Sequence, residues 1–252
     1  MFSPFDLLII GILVFFSYTA QAMTGFGSIV IALTIGSLLF PIRALIPVLV
    51  ALNMPLCIWI LYKQYKEIDQ KFLWLSILPL MVIGLVVGIL VDRQIEGPTL
   101  RRIFGAIILA FALRELFLLL LNRKPANAEN KPLSLFSRIV NWFWILIAGL
   151  VHGIYASGGP PLVYALSRSQ LSRSGFRATL TAVWLLLNGA LLILYLYDGR
   201  FGGEETKQFF ALLITIPLAL KAGEWLHTRV SERSFRLTLQ GLLALSAAAL
   251  LV

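Results

Sequence analysis

The chain has 252 residues, of which 59% are apolar types and only 13% are charged. A soluble domain averages about 45–50% apolar and about 25% charged, so a single water-facing globule is excluded, as are a disordered tail and a disulfide scaffold. The formal charge of +9 would suggest nucleic acid in a soluble chain. Here nearly all 21 Lys and Arg fall between apolar runs, where the positive-inside rule and anionic lipid headgroups account for them, and no nucleic-acid partner is expected.

Ten apolar stretches follow one another, at roughly 5–23, 25–40, 43–62, 72–91, 99–121, 138–155, 159–168, 174–197, 206–227 and 235–252. Most have the roughly 20 residues a helix needs to cross about 30 Å of hydrocarbon. The predicted class is an all-α polytopic membrane protein. The first stretch ends in Ala20-Gln21-Ala22, which resembles a signal-peptidase site. No Lys or Arg precedes it, so it reads as a retained helix. The second and seventh stretches are short, and each follows a glycine cluster. Asn122 to Arg138 is the longest polar stretch and reads as a linker.

With ten crossings, 13 basic residues fall on the face that holds the central linker and 6 on the other, while Arg114 and Lys221 lie inside helices. This bias predicts a cell-membrane protein with both termini outside and the linker in the cytoplasm. If each short stretch were a re-entrant hairpin, the split would be uninformative.

The two halves resemble each other. Asn53 aligns with Asn188, Arg43-Ala44 with Arg177-Ala178, Ala32-Leu33 with Ala165-Leu166, and Gly105 with Gly241. The offsets stay between 133 and 138. The predicted organisation is a first repeat over 1–121, a linker over 122–137 and a second repeat over 138–252. Five crossings per half is an odd number, so the repeats must be inverted relative to each other, an arrangement common among secondary transporters with interrupted helices.

The interruptions are where chemistry is expected. The first contains Thr24, Gly25, Phe26, Gly27 and Ser28, and the second Ser157, Gly158, Gly159 and Pro160. A helix start exposes unpaired N–H groups and a positive dipole end, which suits an anion. Lone glycines more often serve close helix packing. Two clusters at matched positions favour a binding site.

Asn53 and Asn188 sit in strongly apolar segments and need partners there. Each ties helices together or caps a break, or faces a cavity and meets substrate, and both roles are compatible. His152, next to the second break, is either a neutral structural group or a carrier of a coupled proton. Lys221 and Glu224 are spaced to pair on one helix face. Arg114 stands close enough to a helix end to reach the interface. Arg43 and Arg177 read as flanking charges or as attractors of anions at a cavity mouth. No phosphate loop, Cys/His cluster or nucleophile elbow is present, so neither an enzyme nor a cofactor is expected.

Taken together these residues resemble the TauE/SafE family of membrane permeases. The matching positions are Gly25-Phe26-Gly27, Arg43-Ala44 leading to Asn53, and Gly84-x-x-x-Gly88 in the first half. In the second they are Gly149-x-x-His152-Gly153, Ser157-Gly158-Gly159-Pro160, and Arg177-Ala178 leading to Asn188. A common Gly-x-Gly-Gly-Gly pattern is altered here by Phe26 and Ser28. The resemblance implies an ion-coupled transporter, proton-linked, for small anions such as sulfite, organosulfonates or carboxylates. An anion channel of similar build, or a non-transporting membrane enzyme or assembly subunit, are the alternatives. The expected partners are the anion, the proton and the bilayer, and a homo-oligomer stays open.

Overall fold

The computed structural model describes residues 2–121, 135–166, 171–227, 229 and 232–251, and all regular structure among them is helical. Most of the expected linker lies outside the described residues, and a helix is already under way at Leu135.

Helix α1 (Pro4–Thr24) starts on a capping box. Ser3 Oγ accepts from the Asp6 amide at 3.1 Å, and Asp6 Oδ2 accepts from the Ser3 amide at 2.8 Å. It stops at Gly25, whose φ of +86° an L side chain would resist. After Gly27, also left-handed at +105°, the short α2 (Ser28–Gly36) begins. Helix α3 (Ile42–Gln64) follows and is largely buried. A 3-10 turn (Tyr65–Glu67) leads into α4 (Gln70–Phe72), which continues through a π-helical turn (Leu73–Ile77) into α5 (Leu78–Asp92) as one rod. Helix α6 (Gly97–Leu120) completes the first half.

The second half repeats the order. Helix α7 (Leu135–Tyr155) breaks at Ala156, which takes a left-handed φ of +53°, and the short α8 (Gly159–Leu166) begins two residues after Ser157. Then come α9 (Arg173–Tyr197), α10 (Gly203–Leu212), α11 (Thr215–His227) and α12 (Glu232–Ala249). The stretch 206–227, expected as one helix, is split. Helices α10 and α11 meet at a 42° bend. Pro217 explains it: the ring has no N–H to donate and would clash with the carbonyl of Leu213 in a straight helix.

Among the described residues six helices are long and apolar enough to cross a bilayer, and seven if α10 and α11 form one bent span. The two short stretches fold as helices of nine and eight residues. At about 1.5 Å per residue each covers less than half of the hydrocarbon thickness. Apolar side chains such as Phe5, Leu8, Phe16, Leu75, Leu90 and Ile193 face outward, as lipid-facing positions do.

The largest helix contacts pair α5 with α7, α1 with α11, α6 with α12 and α3 with α9. Without water to drive apolar faces together, such pairs depend on close backbone approach. The α5–α7 pair achieves it with four glycines. A Cβ at Gly84 would stand 2.2 Å from the Leu146 carbonyl oxygen, and one at Gly149 would stand 2.3 Å from that of Met81. Gly88 and Gly153 approach to the same degree one turn further along.

Charged side chains gather at the helix ends. Arg43 of α3 donates to the carbonyls of Asp92 and Ile95, both at 2.6 Å, and reaches Asp92 Oδ1 at 3.3 Å. Arg200 meets the other oxygen of the same carboxylate at 3.2 Å, and Arg93 pairs with Asp198 at 3.0 Å. At the far end of α3, Lys63 pairs with Glu224 at 2.7 Å. This corrects the expected Lys221–Glu224 pair: Lys221 is exposed, and Glu224 turns across to a neighbouring helix instead. Arg114 lies over the Tyr164 ring at 4.3 Å and stays half exposed, as snorkelling requires.

Candidate site at the two helix breaks

The two breaks face each other in the middle of the molecule. A Cβ at Gly159 would touch the Phe26 ring at 3.5 Å. Between them lies a small cavity lined by Gln21, Gly27, Ser28, Ile29 and Val30 from the first break and by Ala156, Ser157, Gly158 and Gly159 from the second. Asn53 of α3, with Trp184 and Asn188 of α9, closes it. None of these twelve side chains carries a charge.

The first hydrogen bond of α2 runs from the Ile31 amide to the Gly27 carbonyl at 2.9 Å, so the amides of Ser28, Ile29 and Val30 precede the helical ladder. In α8 the first bond runs from Leu162 to Gly158 at 3.2 Å. Pro160 and Pro161 have no N–H, so its free donor is the Gly159 amide. The two helix starts thus bring unequal sets of donors to one place.

A buried side-chain network holds the first break. Asn53 Nδ2 donates to Gln21 Oε1 at 3.0 Å and to Ser28 Oγ at 2.9 Å, and Ser28 Oγ also donates to Gln21 Oε1. Asn53 Oδ1 accepts from Asn188 Nδ2 at 2.9 Å and from the Cys57 thiol at 3.0 Å. Asn53 has therefore used both N–H groups and both lone pairs, and it braces the break. Asn188 has spent only one N–H, and its Oδ1 has no partner. Ser157 Oγ is likewise unpaired and buried.

The second break is held by rings. Trp184 Nε1 donates to the Gly25 carbonyl at 3.1 Å, tying α9 to the end of α1. His152 stacks on Trp184, with centroids 5.4 Å apart. The Gly158 amide donates to His152 Nδ1 at 3.4 Å. Accepting there leaves the ring proton on Nε2. The Asn188 amide is a polar neighbour of His152, but Nε2 makes no formed hydrogen bond.

Of the residues singled out in the sequence, the cavity gathers Gly27, Ser28, Asn53, Ser157, Gly158, Gly159 and Asn188. Four do not line it. Thr24 Oγ1 is turned to the carbonyls of Ala20 and Phe26, both at 2.9 Å. Gly25 is pressed against the stem of Arg177, its would-be Cβ 2.8 Å from Cγ. Phe26 packs on the opposite break, and Pro160 is only half buried behind it. His152 stands beside the lining rather than in it.

Three contributors were missed. Gln21 carried the same signal as the asparagines, an amide within an apolar helix, and Cys57 lies one turn from Asn53. Trp184 gave no signal, because tryptophan in a membrane segment ordinarily marks the interface.

The cavity measures about 20 Å³ for the centre of a water-sized sphere, room for about one water. An oxyanion with three or four oxygens needs the breaks to move apart. Ion pairs fasten both ends of α3 in this conformation.

No curated protein and no solved structure matches the chain. A family model described as the sulfite exporter TauE/SafE matches residues 9–250, nearly the whole length. With its membrane helices and paired breaks, the chain belongs to the TauE/SafE family of membrane transporters.

Proposed function

We propose that this protein is a secondary transporter that carries sulfite or a related small sulfur-containing anion across the cytoplasmic membrane, by alternating access and coupled to protons. The observation that carries this reading is the meeting of two helix starts at one buried, uncharged cavity. Backbone amides and dipole ends attract an anion without a permanent countercharge, so the anion can also leave. The family description points to sulfite and to export.

The pairing of helices supports an inverted repeat. Exchanging the halves turns α5 against α7 into α11 against α1, and leaves the pairs α3–α9 and α6–α12 unchanged. The contact of Asn53 with Asn188 supports the same reading, since equivalent residues meet only near an axis that relates two repeats. Rocking of the repeats about this axis would open the cavity to one side and then the other. The charge bias of 13 to 6 supports an orientation with the central linker in the cytoplasm. The ion pairs agree with alternating segments, since the start of α3 meets the ends of α5 and α9, and the end of α3 meets α11.

Purified protein in liposomes loaded with sulfite tests the proposal. The expected result is saturable flux that accumulates the anion against its gradient when a pH gradient is imposed. Absence of flux for sulfite, sulfonates and carboxylates under every gradient would overturn it.

A further inference from the structure

We infer that the site selects an anion that carries one negative charge and its own hydroxyl, hydrogensulfite rather than the sulfite dianion, so that the substrate itself brings the coupled proton. This rests on the transport reading above and goes further by naming the ionic form bound.

Charge is the first ground. No lining side chain is charged. Each helix start presents a positive dipole end, and the C-terminal ends of α1 and α7 at the same breaks oppose it, so the backbone offers no net charge to match a dianion. Placing an unbalanced second charge among buried, uncharged groups is strongly unfavourable.

The second ground is the pattern of unpaired atoms. Asn188 Oδ1 and Ser157 Oγ line the cavity with no partner, on residues only 1% and 3% exposed. Asn188 is oriented by the network: Asn53 Nδ2 is held by Gln21 and Ser28, so Asn53 presents Oδ1, and Asn188 must turn Nδ2 toward it. Its acceptor is turned toward His152, whose Nε2–H stands near it without forming a hydrogen bond, which leaves room for a bridging group. A bare oxyanion offers only lone pairs and would be repelled there. A hydroxyl donates to Asn188 Oδ1 and can still accept, and the neighbouring His152 Nε2–H is an unpaired donor. The remaining oxygens of the anion accept from Ser157 Oγ–H and the free amides of α2 and Gly159.

The proton balance follows. Hydrogensulfite crosses as one species, and in the more alkaline compartment its O–H breaks to give sulfite and a free proton. One proton moves with each anion. His152 keeps one neutral tautomer throughout, fixed by the Gly158 amide.

The test uses the full chain in liposomes and two series of initial rates. In one, pH is varied at constant hydrogensulfite; in the other, at constant sulfite dianion. Rates should stay level in the first series and fall about tenfold per pH unit in the second, following the protonated fraction. A rate that follows the dianion, or that falls with pH at constant hydrogensulfite, overturns the inference while leaving the transport reading in place. Loss of all anion flux would remove the transport reading itself.

Competition supplies a second measurement. Methanesulfonate is a monoanion without a hydroxyl, and it should compete about tenfold less well than hydrogensulfite, the worth of one good hydrogen bond. Asn188→Leu should bring that ratio toward one. If the variant does not fold, Ser157→Ala in the same assay should weaken both anions alike and keep their ratio. An unchanged ratio in Asn188→Leu, or equal competition in the unaltered protein, overturns the proposal.

Discussion

Asn188 Nδ2 donates to Asn53 Oδ1 at 2.9 Å, so the buried asparagine that each half places in its third helix meets its counterpart. The pair is unequal. Asn53 is fully bonded, and Asn188 keeps an unpaired oxygen at the cavity.

Substituting the two residues should therefore separate bracing from binding. Asn53→Ala leaves Asn188 Nδ2 and the Cys57 thiol without their acceptor and removes one bond each from Gln21 and Ser28, and should cost about 1–3 kcal/mol of stability as well as flux. Asn188→Ala should lower the melting temperature less and the anion affinity more. Thermal unfolding in detergent and liposome flux read the two effects. Equal loss of stability in both would contradict the division of roles.

The glycine contact between α5 and α7 predicts a contrast among glycines. Gly149→Ala sets a methyl 2.3 Å from the Met81 carbonyl and should cost roughly 1–3 kcal/mol or more by forcing the helices apart. Gly241→Ala meets nothing within 4 Å and should be neutral or stabilising by up to about 1 kcal/mol, through helix propensity. Melting temperatures of the two variants check this directly.

Asp92 is a buried carboxylate shared by Arg43 and Arg200, which come from different halves. Asp92→Asn should loosen that end of the molecule. Both arginines keep contact with water, so the loss is expected at about 1–3 kcal/mol, below that of a fully enclosed pair. Protease accessibility of the connections after α5 and α9 should rise. Unchanged accessibility and stability would show that the pair has no fastening role.

Arg43 and Arg177 align in sequence but differ in use. Arg43 is committed to Asp92, whereas Arg177 Nε is buried without a partner beside the first break. Arg177→Gln should raise the KM for the anion from one side of the membrane roughly tenfold at low salt and less at high salt, with little change in melting temperature. A KM that does not respond from either side would reduce Arg177 to a flanking charge.

Much of this was legible from residues alone. Glycine clusters before two short apolar stretches mark breaks, because a lipid-embedded chain has few other reasons to interrupt its backbone bonds. Asn53 and Asn188 are conspicuous because an amide in hydrocarbon must find partners, and Gln21, passed over, carries the same signal. The partners themselves were not legible. Glu224 has Lys221 one turn away and yet pairs with Lys63, since the interhelix geometry brings that ammonium closer. Thr24 satisfies itself on its own backbone, a local option open to any threonine near a helix end.

The amino-acid sequence by itself determined the membrane class, the order of helices and the positions of both breaks, because transfer to lipid and backbone pairing depend on local composition. Only the tertiary structure decided which faces meet. In lipid every apolar face is alike, so periodicity does not single out the packed side, and the choice falls to close glycine contacts and buried hydrogen bonds between distant segments. That is why Gly84 against Leu146, Trp184 against Gly25 and Asn53 against Asn188 emerge only in three dimensions.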